Sequence, residues 1–212
     1  VAQAFRPHDL LWLKPGAVFE DLPAWAGERL ALGLPVVVRR APRPGSRLPA
    51  GIRGEQRSQR QAIHLEPAWV ARAMAPEDLL AVGPRADRAD LPALRTLALL
   101  AGLLPALLPA GVTWGPTGSV GFERATGWPA VTAASDLDLL LRCPEPVSQV
   151  TARAWLEACS GLPARCDCQL ETGAGGVALA EWARGRGEVL VRTDAGPLLT
   201  SEPWAMPAPV AP

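Results

Sequence analysis

The sequence predicts an α+β fold in two parts, a small N-terminal mixed unit and a C-terminal mixed sheet flanked by helices. Three observations predict it. Apolar runs of strand length stand at Val36–Val38 and Leu137–Leu141. Two stretches carry apolar residues at helical spacing, one after Asp90 and one after Ser148. A polar segment from Val82 to Asp90, with Gly83 and Pro84, breaks the chain between the parts. Residues 1–85 therefore read as one domain and residues 86–212 as the other.

In chain order, Leu10 to Leu13 is a short apolar run, and Val36–Val38 is a strand that leads into Arg39 and Arg40. Pro42 to Gly54, rich in Pro, Gly and Arg, reads as loop. Pro67 to Met74 reads as a short helix at most. Asp90 is the expected N-cap of a helix with Pro92 in its first turn. Its inward face would be Leu94, Leu97, Ala101, Leu104 and Leu108, and it should stop near Pro109 and Gly111. Val112 to Trp114 is a short strand followed by a glycine-rich turn, and Leu137 to Leu141 is the next strand. Ser148 caps a helix to Cys159 with Val147, Val150, Ala154 and Ala158 inward and Gly161 past its end. Arg165 to Glu171 is a strand, Gly173 to Gly176 a turn and Val177 to Ala183 a short helix. Val189 to Arg192 is the last strand.

A chain of 212 residues can bury a core without staples, and 49% apolar with 20% charged residues excludes disorder as its description. Lys+Arg and Asp+Glu are both 21. Zero net charge argues against a nucleic-acid coating protein, which carries a basic field. The zero hides an asymmetry, +5 over residues 1–60 and −5 over residues 61–212. No secretory signal is visible from Val1 to Lys14. The longest apolar stretch, Leu97 to Leu108, is interrupted by Pro105 and falls short of the roughly 20 residues that span a bilayer. A cytoplasmic protein away from the membrane is expected. Cys143, Cys159, Cys166 and Cys168 form no C-x-x-C spacing, so reduced thiols are expected and a zinc site is not.

The chemistry concentrates in Trp114–Gly121 and Ser135–Leu141. Asp136 and Asp138 stand two apart on the expected strand, so both side chains take one face, about 6.6 Å apart along it. Leu137 and Leu139 turn the other way. Two converging carboxylates repel unless a divalent cation, Mg²⁺ or Mn²⁺, lies between them. Upstream, Gly118 and Ser119 end a turn where backbone N–H groups and a hydroxyl can meet phosphate oxygens. Asp167, between Cys166 and Cys168, is a third carboxylate for the same open side. Three such carboxylates can hold two metal ions roughly 3.5–4 Å apart for an in-line phosphoryl displacement. Glu171 shares Asp167's parity and competes for that role, but lies close to the Gly173 turn.

The G-S…D-x-D…D order resembles the DNA polymerase β-like nucleotidyltransferase superfamily, which implies a nucleotidyltransferase-like C-terminal domain. Sixteen residues separate Ser119 from Asp136, a longer gap than is usual there. A narrower resemblance rests on Trp114 to Glu123 (W-G-P-T-G-S-V-G-F-E), Ala125–Thr126–Gly127 and Ser135 to Leu141. It also includes Arg6 to Leu10 (R-P-H-D-L) and Gly54 to Arg60 (G-E-Q-R-S-Q-R). These resemble the phosphoribosyl-dephospho-CoA transferase family of bacterial malonate decarboxylase and cover nearly the whole chain. The resemblance implies transfer of the phosphoribosyl-dephospho-CoA group from 2′-(5″-triphosphoribosyl)-3′-dephospho-CoA to a serine of the apo acyl carrier subunit, with diphosphate leaving. It maps the family's paired active-site aspartates onto Asp136 and Asp138. Asp167 is then a metal ligand or the acceptor of the serine proton, and Gly118 and Ser119 hold the donor's β,γ-phosphates. The rival readings are another metal-dependent nucleotidyltransferase acting on a small molecule, or a non-catalytic relative that binds a ligand.

Seven arginines lie between Arg39 and Arg60. Arg53, Arg57 and Arg60, at spacings of four and three, would share one face if that piece were helical. They read equally as an anion cradle, for triphosphate or an acidic carrier, or as a solvated loop of an arginine-biased sequence. His8 beside Asp9 is a weaker catalytic candidate. Trp114 and Trp128, which bracket the phosphate turn, are candidates for ligand contact.

Overall fold

The computed structural model describes residues 5–56 and 58–205. Two sheets divide the chain, as the α+β reading requires. The first has five strands in the order β4-β3-β2-β1-β5, every neighbouring pair antiparallel. Its strands are β1 (Leu10–Leu13), β2 (Val36–Val38), β3 (Leu48–Arg53), β4 (Arg60–Leu65) and β5 (Val70–Met74). Helix α1 (Ala24–Ala31) packs on β3. The core beneath is Leu11, Val36, Val38, Leu48, Ala50, Ile52 and Leu65.

Two expectations fail here. Leu48–Arg53 is a strand rather than loop, because Leu48, Ala50 and Ile52 are buried and β2 and β4 supply ladder partners on both sides. Pro49 gives up one N–H, yet its carbonyl still accepts from Arg39 N–H at 2.9 Å. Pro67 to Met74 is not a helix. One 3-10 turn, Pro67–Trp69, leads into β5, which pairs along β1. Arg53 and Arg60 consequently face each other across the β3–β4 hairpin instead of sharing a helix face. Arg57 lies outside the described residues.

The second sheet has six strands in the order β11-β10-β9-β8-β7-β6. They are β6 (Thr113–Pro116), β7 (Leu137–Arg142), β8 (Cys166–Glu171), β9 (Gly176–Ala178), β10 (Val189–Thr193) and β11 (Gly196–Thr200). Only β7 and β8 run parallel, and α4 (Gln149–Ala158) makes their crossover. The other pairs are antiparallel. Ser148 caps α4 as expected, its Oγ accepting from Thr151 N–H at 3.0 Å. The buried face of α4 is Ala152 and Trp155, however, and Val150 is exposed. The large indole, whose N–H donates to the Leu107 carbonyl, decides which face turns inward.

Helix α2 (Pro92–Leu103) is capped at Leu91 rather than Asp90, with Leu100 in the core instead of Ala101. It ends before Pro105 in a 3-10 turn, Leu104–Ala106, well short of Pro109. The glycine-rich segment after β6 is not a turn but opens a helix, α3 (Gly118–Thr126). Helix α5 (Leu179–Arg184) joins β9 to β10, and β11, unforeseen, pairs with β10 as a hairpin.

Strand β7 positions the site. Leu137, Leu139 and Leu141 sink into the core with α2 and α4. Asp138, Leu140 and Arg142 take the other face, which the N-terminal sheet covers. Leu10, Leu79 and Phe122 seal that junction. Arg142, buried, donates to Asp9 Oδ1 at 2.9 Å and to Glu77 Oε2 at 3.2 Å. Arg40 pairs with Glu171 at 2.5 Å. No helix among the described residues is long and apolar enough to cross a membrane.

Candidate active site

A cavity of about 520 Å³ opens between the two sheets. Gly118, Asp138 and Asp167 line it from the C-terminal side, and Arg39, Arg53 and Arg60 from the N-terminal side. Asp138 and Asp167 are direct register partners on parallel β7 and β8. Adjacent strands lie about 4.8 Å apart, so the two carboxylates emerge side by side. Cys168, Leu139 and Leu137 alternate into the core and turn these acids outward.

Gly118 has a φ of 56° and abuts Asp138: a Cβ there would overlap the carboxylate. Only glycine combines that left-handed backbone with that approach. Thr117 N–H donates to the Asp138 carbonyl at 2.9 Å, which ties the start of α3 to β7. A helix leaves its first N–H groups without intrahelical partners and favours anions there. Here that end lies on the cavity wall. Ser119, in the first turn of α3, is half-buried and does not line the cavity.

Asp136 precedes β7 and accepts from Arg165 at 2.6 Å. That bond first, and then the charges of Asp167 and Asp138, hold the Arg165 guanidinium above its usual range. One exposed cation therefore sits in the field of all three acids. As they stand, no three His, Cys, Asp or Glu side chains among the described residues are gathered closely enough to hold a metal ion. Their chemistry does fit one: carboxylate oxygens are the donors Mg²⁺ and Mn²⁺ take. Glu171, the competing third acid, is engaged by Arg40.

Gln169 and Arg192 line the cavity and escaped the sequence reading, and Arg39, counted there among seven arginines, was not singled out. Gln169 shares Asp167's face two residues on. Its Oε1 accepts from Arg192 at 3.2 Å, and its Nε2 meets His8 Nε2 at 3.2 Å. The period of β8 could have marked Gln169; nothing local marks Arg192, since its position depends on which strand β10 joins. His8 lines the cavity with a φ of 74°, uncommon for a residue with a side chain. Its partner is Gln169, while Asp9 bonds Arg142, so no His8–Asp9 dyad forms. Burial, and then Arg40, Arg142 and Arg192, push the His8 imidazole down to about 4. Burial, and then Arg60, lower Arg53 to about 10. Trp114 is in the core, and Trp128 lies beneath the Arg29 guanidinium at 4.6 Å; neither lines the cavity.

Comparison with known proteins adds the following. The family model described as Phosphoribosyl-dephospho-CoA transferase MdcG N-terminal domain matches residues 6–76, and that of the MdcG C-terminal domain matches residues 79–203. The chain is 44% identical over 200 residues to a phosphoribosyl-dephospho-CoA transferase of Pseudomonas putida (strain W619), covering 94% of this chain and 95% of that one. It is 46% identical to one from Pseudomonas aeruginosa, covering 94% and 93%. It is 39% identical to one from Klebsiella pneumoniae (strain 342), covering 94% and 96%. No solved structure matches it.

Proposed function

The chain belongs to the phosphoribosyl-dephospho-CoA transferase family, and from that premise we propose its full reaction. It transfers the phosphoribosyl-dephospho-CoA group from 2′-(5″-triphosphoribosyl)-3′-dephospho-CoA to a serine of the apo acyl carrier subunit of malonate decarboxylase, in the cytoplasm. The observation that carries this reading is the cavity's division into an acidic wall, Asp138 and Asp167, and a basic wall, Arg39, Arg53 and Arg60. A nucleophile needs the first and a polyphosphate leaving group needs the second.

The serine oxygen attacks the donor's α-phosphorus. A phosphodiester bond forms, the α–β anhydride bond breaks, and its electron pair leaves on diphosphate. Asp167, the exposed carboxylate, accepts the serine proton. Gly118 and Ser119 present the start of α3 to the β,γ-phosphates, beside the Asp138 carboxylate. Arg53 and Arg60 neutralise charge on the leaving group. Asp138 and Asp167, with Asp136 once Arg165 lets go, would hold Mg²⁺ or Mn²⁺. Such an ion when bound offsets charge on the reacting phosphates.

Intact mass spectrometry of the apo carrier tests this, after incubation with donor, Mg²⁺ and the protein. One prosthetic group per carrier and one diphosphate released are expected. An unmodified carrier, or an adduct trapped on the transferase itself, overturns the proposal.

A further inference from the structure

Arg39 and Arg192 reach the cavity from different sheets, just beyond β2 and on β10. The neighbouring arginines are already engaged: Arg40 by Glu171 and Asp194, Arg142 by Asp9 and Glu77, Arg165 by Asp136. Arg39, Arg53 and Arg192, in contrast, have no ion-pair partner among the described residues. The chain also holds two of them in place. Arg39 lies across Gly51, where an added Cβ would stand 3.1 Å from its Cδ. Arg192 is oriented by Gln169, and Gln169 by His8. Arg192 also contributes, after burial, Arg40 and Arg142, to holding the His8 imidazole down. Gathering guanidinium groups in a partly shielded cavity is unfavourable until an anion joins them.

We propose that Arg39 and Arg192 are the two opposed halves of a polyphosphate site that spans the sheets, holding the donor's terminal phosphates and then the diphosphate product. The identity of the donor rests on the transfer reading above; the polyphosphate site does not. Two consequences follow from a ligand gripped by both sheets. Diphosphate competes with the donor, and occupancy raises the melting temperature by tying the sheets together.

Titration calorimetry with sodium tripolyphosphate, on the full chain without metal, tests the site. Both arginines are exposed, so replacing them leaves the core intact. Arg39→Ala and Arg192→Ala are each expected to weaken binding about tenfold, the loss of one charge-assisted contact. The double variant should also lose the thermal shift that tripolyphosphate gives the unmodified chain. Arg95→Ala, on the outer face of α2, should bind unchanged. Normal binding by both single variants overturns the site, as does an equal loss in Arg95→Ala. Scoring carrier modification on the same samples separates the two ideas. Arginine-dependent binding with an unmodified carrier sinks the transfer reading and leaves the site standing. Carrier modification with binding indifferent to both arginines sinks only the site.

Discussion

Asp138 and Gly118 form one structural unit, because the start of α3 is packed against the carboxylate. Asp138→Asn keeps the shape and removes the charge, and Asp136→Asn does the same two residues earlier, just before β7. Each is expected to lower transfer by on the order of 10²-fold or more with an unchanged melting temperature. Gly118→Ala should lower transfer comparably, since its methyl group displaces the carboxylate instead of neutralising it. Single-turnover carrier modification measures all three, and normal turnover in any of them removes that residue from the site. His8 carries a pH prediction. Folding lowers its imidazole from 6.5 to about 4, chiefly by burial. Between those values the unfolded chain binds a proton that the folded chain refuses. The stability His8 contributes is thus complete above about pH 6.5 and is lost as pH falls toward 4. His8→Asn tolerates the positive φ and cannot titrate, so its melting temperature should fall less steeply across that window. Parallel slopes for the two proteins would sink the assignment.

At the scale of elements, α4 matters because it is the crossover that sets Asp138 beside Asp167. Its only side-chain cap is Ser148, and Ala in its place should cost about 1 kcal/mol. Chemical denaturation would read that loss, with transfer unaffected because the cap is remote from the cavity. Loss of transfer without loss of stability would show that the cap does more than start a helix. Strand β3 shows the opposite balance of forces. Its Pro and Gly speak against a strand, yet three buried apolar residues and two neighbouring strands override them.

For the molecule as a whole, the junction between the sheets forms the cavity proposed as the active site, and Arg142 is its buried tie. It meets Asp9 and Glu77 from the far side of the junction. Burial raises the Asp9 carboxyl even though Arg142 and Arg6 oppose it. Removing the guanidinium leaves an uncompensated buried acid. Arg142→Met is therefore expected to destabilise the chain by about 3–5 kcal/mol, measured from its urea midpoint. A change below 1 kcal/mol would mean that the apolar contacts of Leu10, Leu79 and Phe122 hold the sheets by themselves.

The sequence alone determined what depends on near neighbours. It marked the β2, β7 and β8 strands, the Ser148 cap, and the Gly118–Ser119, Asp136, Asp138 and Asp167 string with its family likeness. Periodicity, caps and short motifs are local, so their physics is present in any window that contains them. Tertiary structure decided what depends on partners distant in sequence. It made a strand of Leu48–Arg53, turned Trp155 rather than Val150 inward, and gave Glu171 to Arg40 while leaving Asp167 in the cavity. It also brought Arg39 and Arg192 together across two sheets. A strand's neighbours, and the charge an arginine faces, exist only after the sheets have packed.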